Sequence, residues 1–247
     1  GLVRVRRELA FPSRSDWRLV VVSGVLQMGA FSALTGLALA VLPPGRASVL
    51  AFSTPLWVVP LAAWRLDEHA SPRALLGVAI GLLGVLVIAS PALQRGGVGQ
   101  GASYAMLLGA SAAWAVSIVF VRGHRFESSP LVLAPWQMLV AAALLLPLAI
   151  MVEGRPRAVG ARGFAALAYV GPIATAFAYW VVVEVGRRFR ASTVSVALLA
   201  TPSLGLLISA LALGERVSVS LAIGVVLVAS GIRLATSTSA RGTRPRG

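Results

Sequence analysis

The chain has 247 residues, 57% of them hydrophobic and only 12% charged, and a mean hydropathy of +0.86. That apolar excess excludes an ordinary soluble domain and is the composition of a polytopic membrane protein. With no cysteine there is no disulfide framework and no cysteine-ligated metal. The net charge of +14 would suit nucleic acid, but the 22 arginines stand singly or in small groups between apolar runs. They read as markers of membrane topology, and no nucleic-acid partner is expected.

Eight long stretches are essentially free of charge, and lipid leaves no partner for unpaired backbone groups, so each is predicted to be a helix. They fall at 18–42, 46–64, 73–91, 103–122, 130–152, 163–186, 191–213 and 217–236. Most hold enough residues to cross a hydrocarbon core of about 30 Å at about 1.5 Å per residue. The last is short and relies on its flanking arginines, Arg216 and Arg233, snorkelling to the interface. Counted on alternate sides, the arginines split 16 to 6. The richer side carries both chain ends, which predicts a multi-pass membrane protein with both ends in the cytoplasm.

An internal repeat organises these segments. Thr54-Pro55 recurs as Thr201-Pro202, Glu68 as Glu215, Gly77 as Gly224 and Gly84 as Gly231, always 147 residues on. Over 48–84 and 195–231, eleven of 37 aligned positions are identical. Five spans, an odd number, separate equivalent segments, so the two copies should have opposite orientation, as in many secondary transporters. The expected fold is therefore an all-α polytopic membrane protein, an inverted-repeat helix bundle with eight transmembrane helices here of an expected ten. Residues 1–95 form a first repeat lacking its first two helices, which should precede Gly1, and 102–236 a second repeat of five. The Gly-rich stretch 96–101 is a linker, not a phosphate loop, since it has no lysine and joins two membrane helices. Residues 237–247 are a basic cytoplasmic tail.

Candidate functional residues are polar or helix-breaking groups at membrane depth. Pro55, Pro60, Pro135, Pro147, Pro172 and Pro202 lie inside predicted helices and should kink them. Thr54-Pro55 and Thr201-Pro202 put a kink and a hydroxyl at equivalent depths, which reads as a hinge or binding site, or else as a packing kink with the threonine bonded back to its own helix. Gln27, Trp114, Gln137, Thr175 and Tyr179 are candidate substrate contacts. Gly171, Thr175 and Tyr179 share one helix face at spacing four. For Tyr104 and Trp136 the plainer reading is interfacial anchoring. Glu184 reads first as an ion pair with Arg187 or Arg188 and second as a proton-coupling carboxylate. Glu68 and Glu215 in tight turns, with Gly77 and Gly224 in the following helices, read as structural motif positions. His69 and His124, in polar loops without evident partners, are assigned nothing. No HExxH, GxSxG or Walker A pattern is present, so the chain is read as non-enzymatic, with no cofactor and no metal.

Several of these residues together resemble the EamA family of the drug/metabolite transporter superfamily. They are the Leu-Gly-Glu-Arg turn at 213–216 with its copy Leu-Asp-Glu-His at 66–69, the Thr-Pro of the preceding helix, and the Gly224/Gly231 helix that follows. Ala112-Ala113-Trp114-Ala115 and Ala134-Pro135-Trp136-Gln137-Met138 add to it. The resemblance implies ten helices in two inverted copies around a central cavity. It also implies ATP-independent export of a small metabolite, such as an amino acid, by alternating access. The bilayer and a small-molecule substrate are the expected partners, with protons and a second copy of the chain left open. The rival reading is a non-transporting structural or sensory subunit, or a degenerate fragment.

Overall fold

A computed structural model describes residues 11–67, 70–94, 98–154, 160–178, 181, 201, 204–214 and 217–237. Regular structure among them is helical. Helix α1 spans Trp17–Leu39 and α2 spans Pro44–Arg65. Helices α3 (Pro72–Gln94), α4 (Val98–Arg122) and α5 (Pro130–Glu153) follow. Helix α6 runs over Ala161–Tyr169 and continues in wide turns over Val170–Phe177. Leu204–Leu213 is α7 and Val219–Ser237 is α8. Six helices, α1 to α5 and α8, are long and apolar enough to cross a membrane. The spans expected at 163–186 and 191–213 run into residues outside the described set, and so do the turn positions Glu68 and Glu215.

Two boundaries differ from expectation. Helix α1 ends at Leu39 rather than 42, because the Pro43-Pro44 pair disfavours helix just before it; the amides of Val41 and Leu42 both close onto the Ala38 carbonyl. Helix α4 begins at Val98, so 98–101 of the expected linker are its first turn. Glycine there costs little at an exposed helix end, and the Ser103 hydroxyl ties back to the Gly99 carbonyl at 2.9 Å.

Two long helices are irregular. Residues Gly24–Ala30 of α1 form wide, π-type turns. Helix α2 breaks at Phe52-Ser53 into Pro44–Ala51 and Thr54–Arg65. The kink expected at Pro55 thus lies just upstream. Proline sits in the first turn of the new segment, where its missing N–H costs nothing. The carbonyls left over are taken by hydroxyls: Ser53 Oγ donates to Leu50 O at 2.6 Å and Thr54 Oγ1 to Ala51 O at 3.1 Å.

The core joins α2, α3, α4 and α8 through Leu50, Leu56, Ile88, Leu107, Leu221 and Val228. Helices α3 and α8 meet on glycine. A Cβ on Gly84 would lie 2.8 Å from the Gly224 carbonyl, and one on Gly231 would lie 2.6 Å from the Gly77 carbonyl. Low numbers of α3 face high numbers of α8, so the two run antiparallel. Only residues without side chains allow backbones so close. The start of α2 reaches α7, where the Gly45 amide donates to Ser209 Oγ at 3.2 Å. Outward faces stay apolar, with Leu83, Leu146 and Ile208 each more than half exposed. Water would not tolerate such a surface; hydrocarbon does.

Candidate functional site

Helices α1, α2 and α4 cross where two of them are irregular. On α1, Ser23, Gln27 and Phe31 lie at spacing four and face α4. On α4, Ser111, Trp114 and Ser117 lie at spacing three. Ser117 Oγ donates to Gln27 Oε1 at 3.3 Å and lies 3.1 Å from Ser23 Oγ. The Trp114 ring sits between two phenylalanines, Phe31 at 4.9 Å and Phe52 at 6.1 Å between centroids, both edge-on. From the break in α2, Ser53 Oγ comes within 3.2 Å of Ser111 Oγ. Ser23, Ser53, Ser111 and Ser117 are all buried. Hydroxyls in an apolar bundle persist because each finds a partner. Together they form a strip of exchangeable hydrogen-bonding groups beside three rings packed edge to face.

The wide turns of α1 follow from its packing on α5. A Cβ on Gly24 would lie 2.8 Å from the Gln137 carbonyl, and one on Gly29 would lie 2.9 Å from Leu144 Cδ2. Such π-type turns are frequent at functional sites, since they free carbonyls and re-aim side chains.

Of the sequence candidates, the structure brings Gln27 and Trp114 to this crossing. Thr54 lies at the α2 break, bonded back to its own helix. Gln137 is buried on α5, its backbone against Gly24. Thr175 is exposed on α6, a segment that buries no residue, and donates to the Val170 carbonyl at 2.8 Å; it is not brought to Gln27 and Trp114. Gly77 and Gly224 form the α3–α8 contact. Thr201 is helical, whereas Tyr179, Glu184 and Pro202 lie outside the described residues. Tyr104, read as an interfacial anchor, is instead buried, its hydroxyl 3.4 Å from the Ile88 carbonyl. Its ring fills the gap between α3 and α4. Phe31, Phe52 and the four serines were not legible as a site. Their one signal was the regular spacing of Ser23, Gln27 and Phe31, and of Ser111, Trp114 and Ser117.

A second polar cluster corrects the reading of His124 as partnerless. Its Nε2 meets Asp16 Oδ1 at 2.9 Å, between Phe120 stacked on one side and Phe126 edge-on. Asp16, fully buried at the start of α1, also accepts from the Ser128 amide at 2.7 Å and from Ser13 Oγ at 2.8 Å. Burial pushes its carboxyl upward, but the bonds from His124, Ser128 and Ser13 outweigh this and hold it well below the usual carboxylate range. The cluster pins the start of α1 to the α4–α5 loop. Among the described residues no three His, Asp or Glu side chains gather as a metal site.

Beside this cluster, the ends of α1, α2 and α4 border an open cleft of about 870 Å³. Arg14, Arg18, Arg65 and His124 line it together with apolar groups that include Trp64 and Phe120. Among the described residues its lining holds three arginines and no carboxylate, so it is positive.

These features define a multi-pass helical membrane protein with polar groups held inside an apolar bundle. The pattern of the EamA-like transporter family matches residues 2–90 and 101–237. The chain belongs to that family and is a membrane transporter. It is 30% identical over 208 residues to the aromatic amino acid exporter YddG of Ancylobacter novellus, covering 83% of this chain and 71% of that one. It is 25% identical to the uncharacterized transporter YoaV of Bacillus subtilis, covering 96% and 81%. With a probable amino-acid metabolite efflux pump of Salmonella typhimurium it shares 23% identity over 77% and 67%. A solved crystal structure shares the fold at a TM-score of 0.60 and 25% identity, covering 98% of this chain and 82% of that one.

Proposed function

We propose that the chain is an ATP-independent secondary transporter that exports a small metabolite of the amino-acid class across a bacterial plasma membrane. The observation that carries this is the crossing of α1, α2 and α4. A broken helix and a widened helix meet there over hydroxyl, amide and aromatic groups at membrane depth. Interrupted helices at depth are the usual architecture of a transporter's binding site. Amide and hydroxyl groups suit the polar end of an amino acid. The Trp114, Phe31 and Phe52 rings suit an apolar or aromatic side chain. The names of the two export relatives support the same class.

Alternating access is proposed to use the Phe52-Ser53 break as its hinge, since the carbonyls there already bond to side chains and a change of angle strands few of them. The inverted repeat is supported by the α3–α8 contact. Exchanging each residue for its equivalent 147 positions away turns the Gly77–Gly231 pair into Gly224–Gly84, which is the other pair in contact. The two separate stretches matched by the family pattern support the same division. The arginine-rich side is proposed to be cytoplasmic.

The test is export from cells expressing the gene from its own start codon, with extracellular amino acids compared among wild type, vector and Trp114→Ala. Accumulation that requires Trp114 is expected. Equal media in all three, with both proteins present in the membrane, would overturn the reading.

A further inference from the structure

The cavity at the end of α1, α2 and α4 is lined by three arginines, Arg14, Arg18 and Arg65. None has an ion-pair partner among the described residues. Asp16, two residues from both Arg14 and Arg18, is occupied by Ser13, His124 and Ser128, and Asp67, two residues past Arg65, is exposed and does not line the cleft. Arginine does not shed its charge, so three arginines around one cleft attract an anion. A phosphate is well matched to this fork-shaped donor set.

An otherwise apolar groove of about 450 Å³ adjoins the cavity and shares Arg18 and Phe120 with it. It passes Trp17, Val21 and Val22, and both Val21 and Phe120 are exposed on the outer surface. Trp17 and the exposed Trp64 beside Arg65 put this junction at headgroup depth, where tryptophan concentrates. Arginines at a helix end, or an apolar outer groove, would each be ordinary alone. Joined at Arg18 and Phe120, they fit a molecule whose anion and hydrocarbon chain are covalently linked. We propose that this cleft binds an anionic phospholipid. Its phosphate would rest on Arg14, Arg18 and Arg65, and one acyl chain would lie in the groove between α1 and α4. This site is separate from the proposed substrate contacts and does not depend on transport.

The test uses the full chain purified in detergent, with retained lipid counted by native mass spectrometry. Phosphatidylglycerol is compared with phosphatidylcholine of the same chains, and glycerol phosphate is the soluble competitor. Phosphatidylglycerol should be retained at least about tenfold better than phosphatidylcholine, and each Arg→Gln change should cost about fivefold. Val21→Trp fills the groove, leaves every arginine in place, and should lower retention of phosphatidylglycerol about fivefold. Because these arginines also orient the chain, the Val21→Trp variant and the headgroup comparison decide the matter if a glutamine variant fails to insert. Equal retention of the two lipids overturns the proposal, as does unchanged retention of phosphatidylglycerol in Val21→Trp. Displacement by glycerol phosphate at equal concentration would make this a site for free anions, and overturns it too.

Discussion

Asp16→Asn isolates the anchor at the start of α1. The wild-type carboxylate accepts from the Ser128 amide and Ser13 Oγ on one oxygen and from His124 Nε2 on the other. Asparagine keeps one oxygen for Ser128 and Ser13 and turns its NH2 toward His124 Nε2, which can accept only in the other tautomer, and all of these bonds lose their charge. Hydrogen bonds to a charged group are each worth about 1.5–3 kcal/mol. A net cost of about 3 kcal/mol is expected, a fall in Tm of about 6–12 °C for a chain of this size. The sign of the pH dependence follows from the depressed carboxyl. The stabilisation is fully present above the ordinary aspartate value of about 3.9 and is lost as pH falls toward the lower folded value. The wild-type advantage should therefore persist at pH 5 and above, then shrink by about 1.4 kcal/mol per pH unit below about pH 4. Thermal unfolding of the detergent-purified pair between pH 7 and pH 3 reads this directly. A Tm difference under about 1 °C at pH 7, or one that does not change down to pH 3, would refute the account.

Other expectations test packing, site and topology. Gly231→Leu must separate α3 from α8, because its Cβ alone would meet the Gly77 carbonyl and the Gly81 amide. It should lower stability by about 1–3 kcal/mol or more. Gly36→Leu, which meets nothing within 4 Å, should be neutral in the same melt. Gln27→Leu and Ser117→Ala, measured singly and together in export assays, should be non-additive, since each removes the same hydrogen bond; strictly additive losses would separate them. Single cysteines at Gly99 and Asp67 should react with impermeant maleimide from opposite faces of intact cells, and labelling from one face would sink the proposed orientation.

Composition and periodicity alone determined the membrane class. A bilayer offers no backbone partners, so long uncharged runs must become helices wherever they lie, and the six described spans stand within about five residues of those expected. The 147-residue offset also singled out Gly77, Gly84, Gly224 and Gly231 before any contact was known, because glycine matters for what it lacks. What the sequence could not tell was which helices touch. Serine in an apolar helix normally bonds back to its own turn, so Ser23, Ser53, Ser111 and Ser117 carried no mark of a shared strip. Packing alone decides that Ser117 meets Gln27 and Ser53 meets Ser111. Proline marked the region of the α2 break but not its residue, because Pro55 tolerates a first helical turn and the strain moves to Phe52-Ser53. His124 looked idle for the same reason: Asp16 is 108 positions away, and only the antiparallel return of α4 beside α1 closes that distance to 2.9 Å.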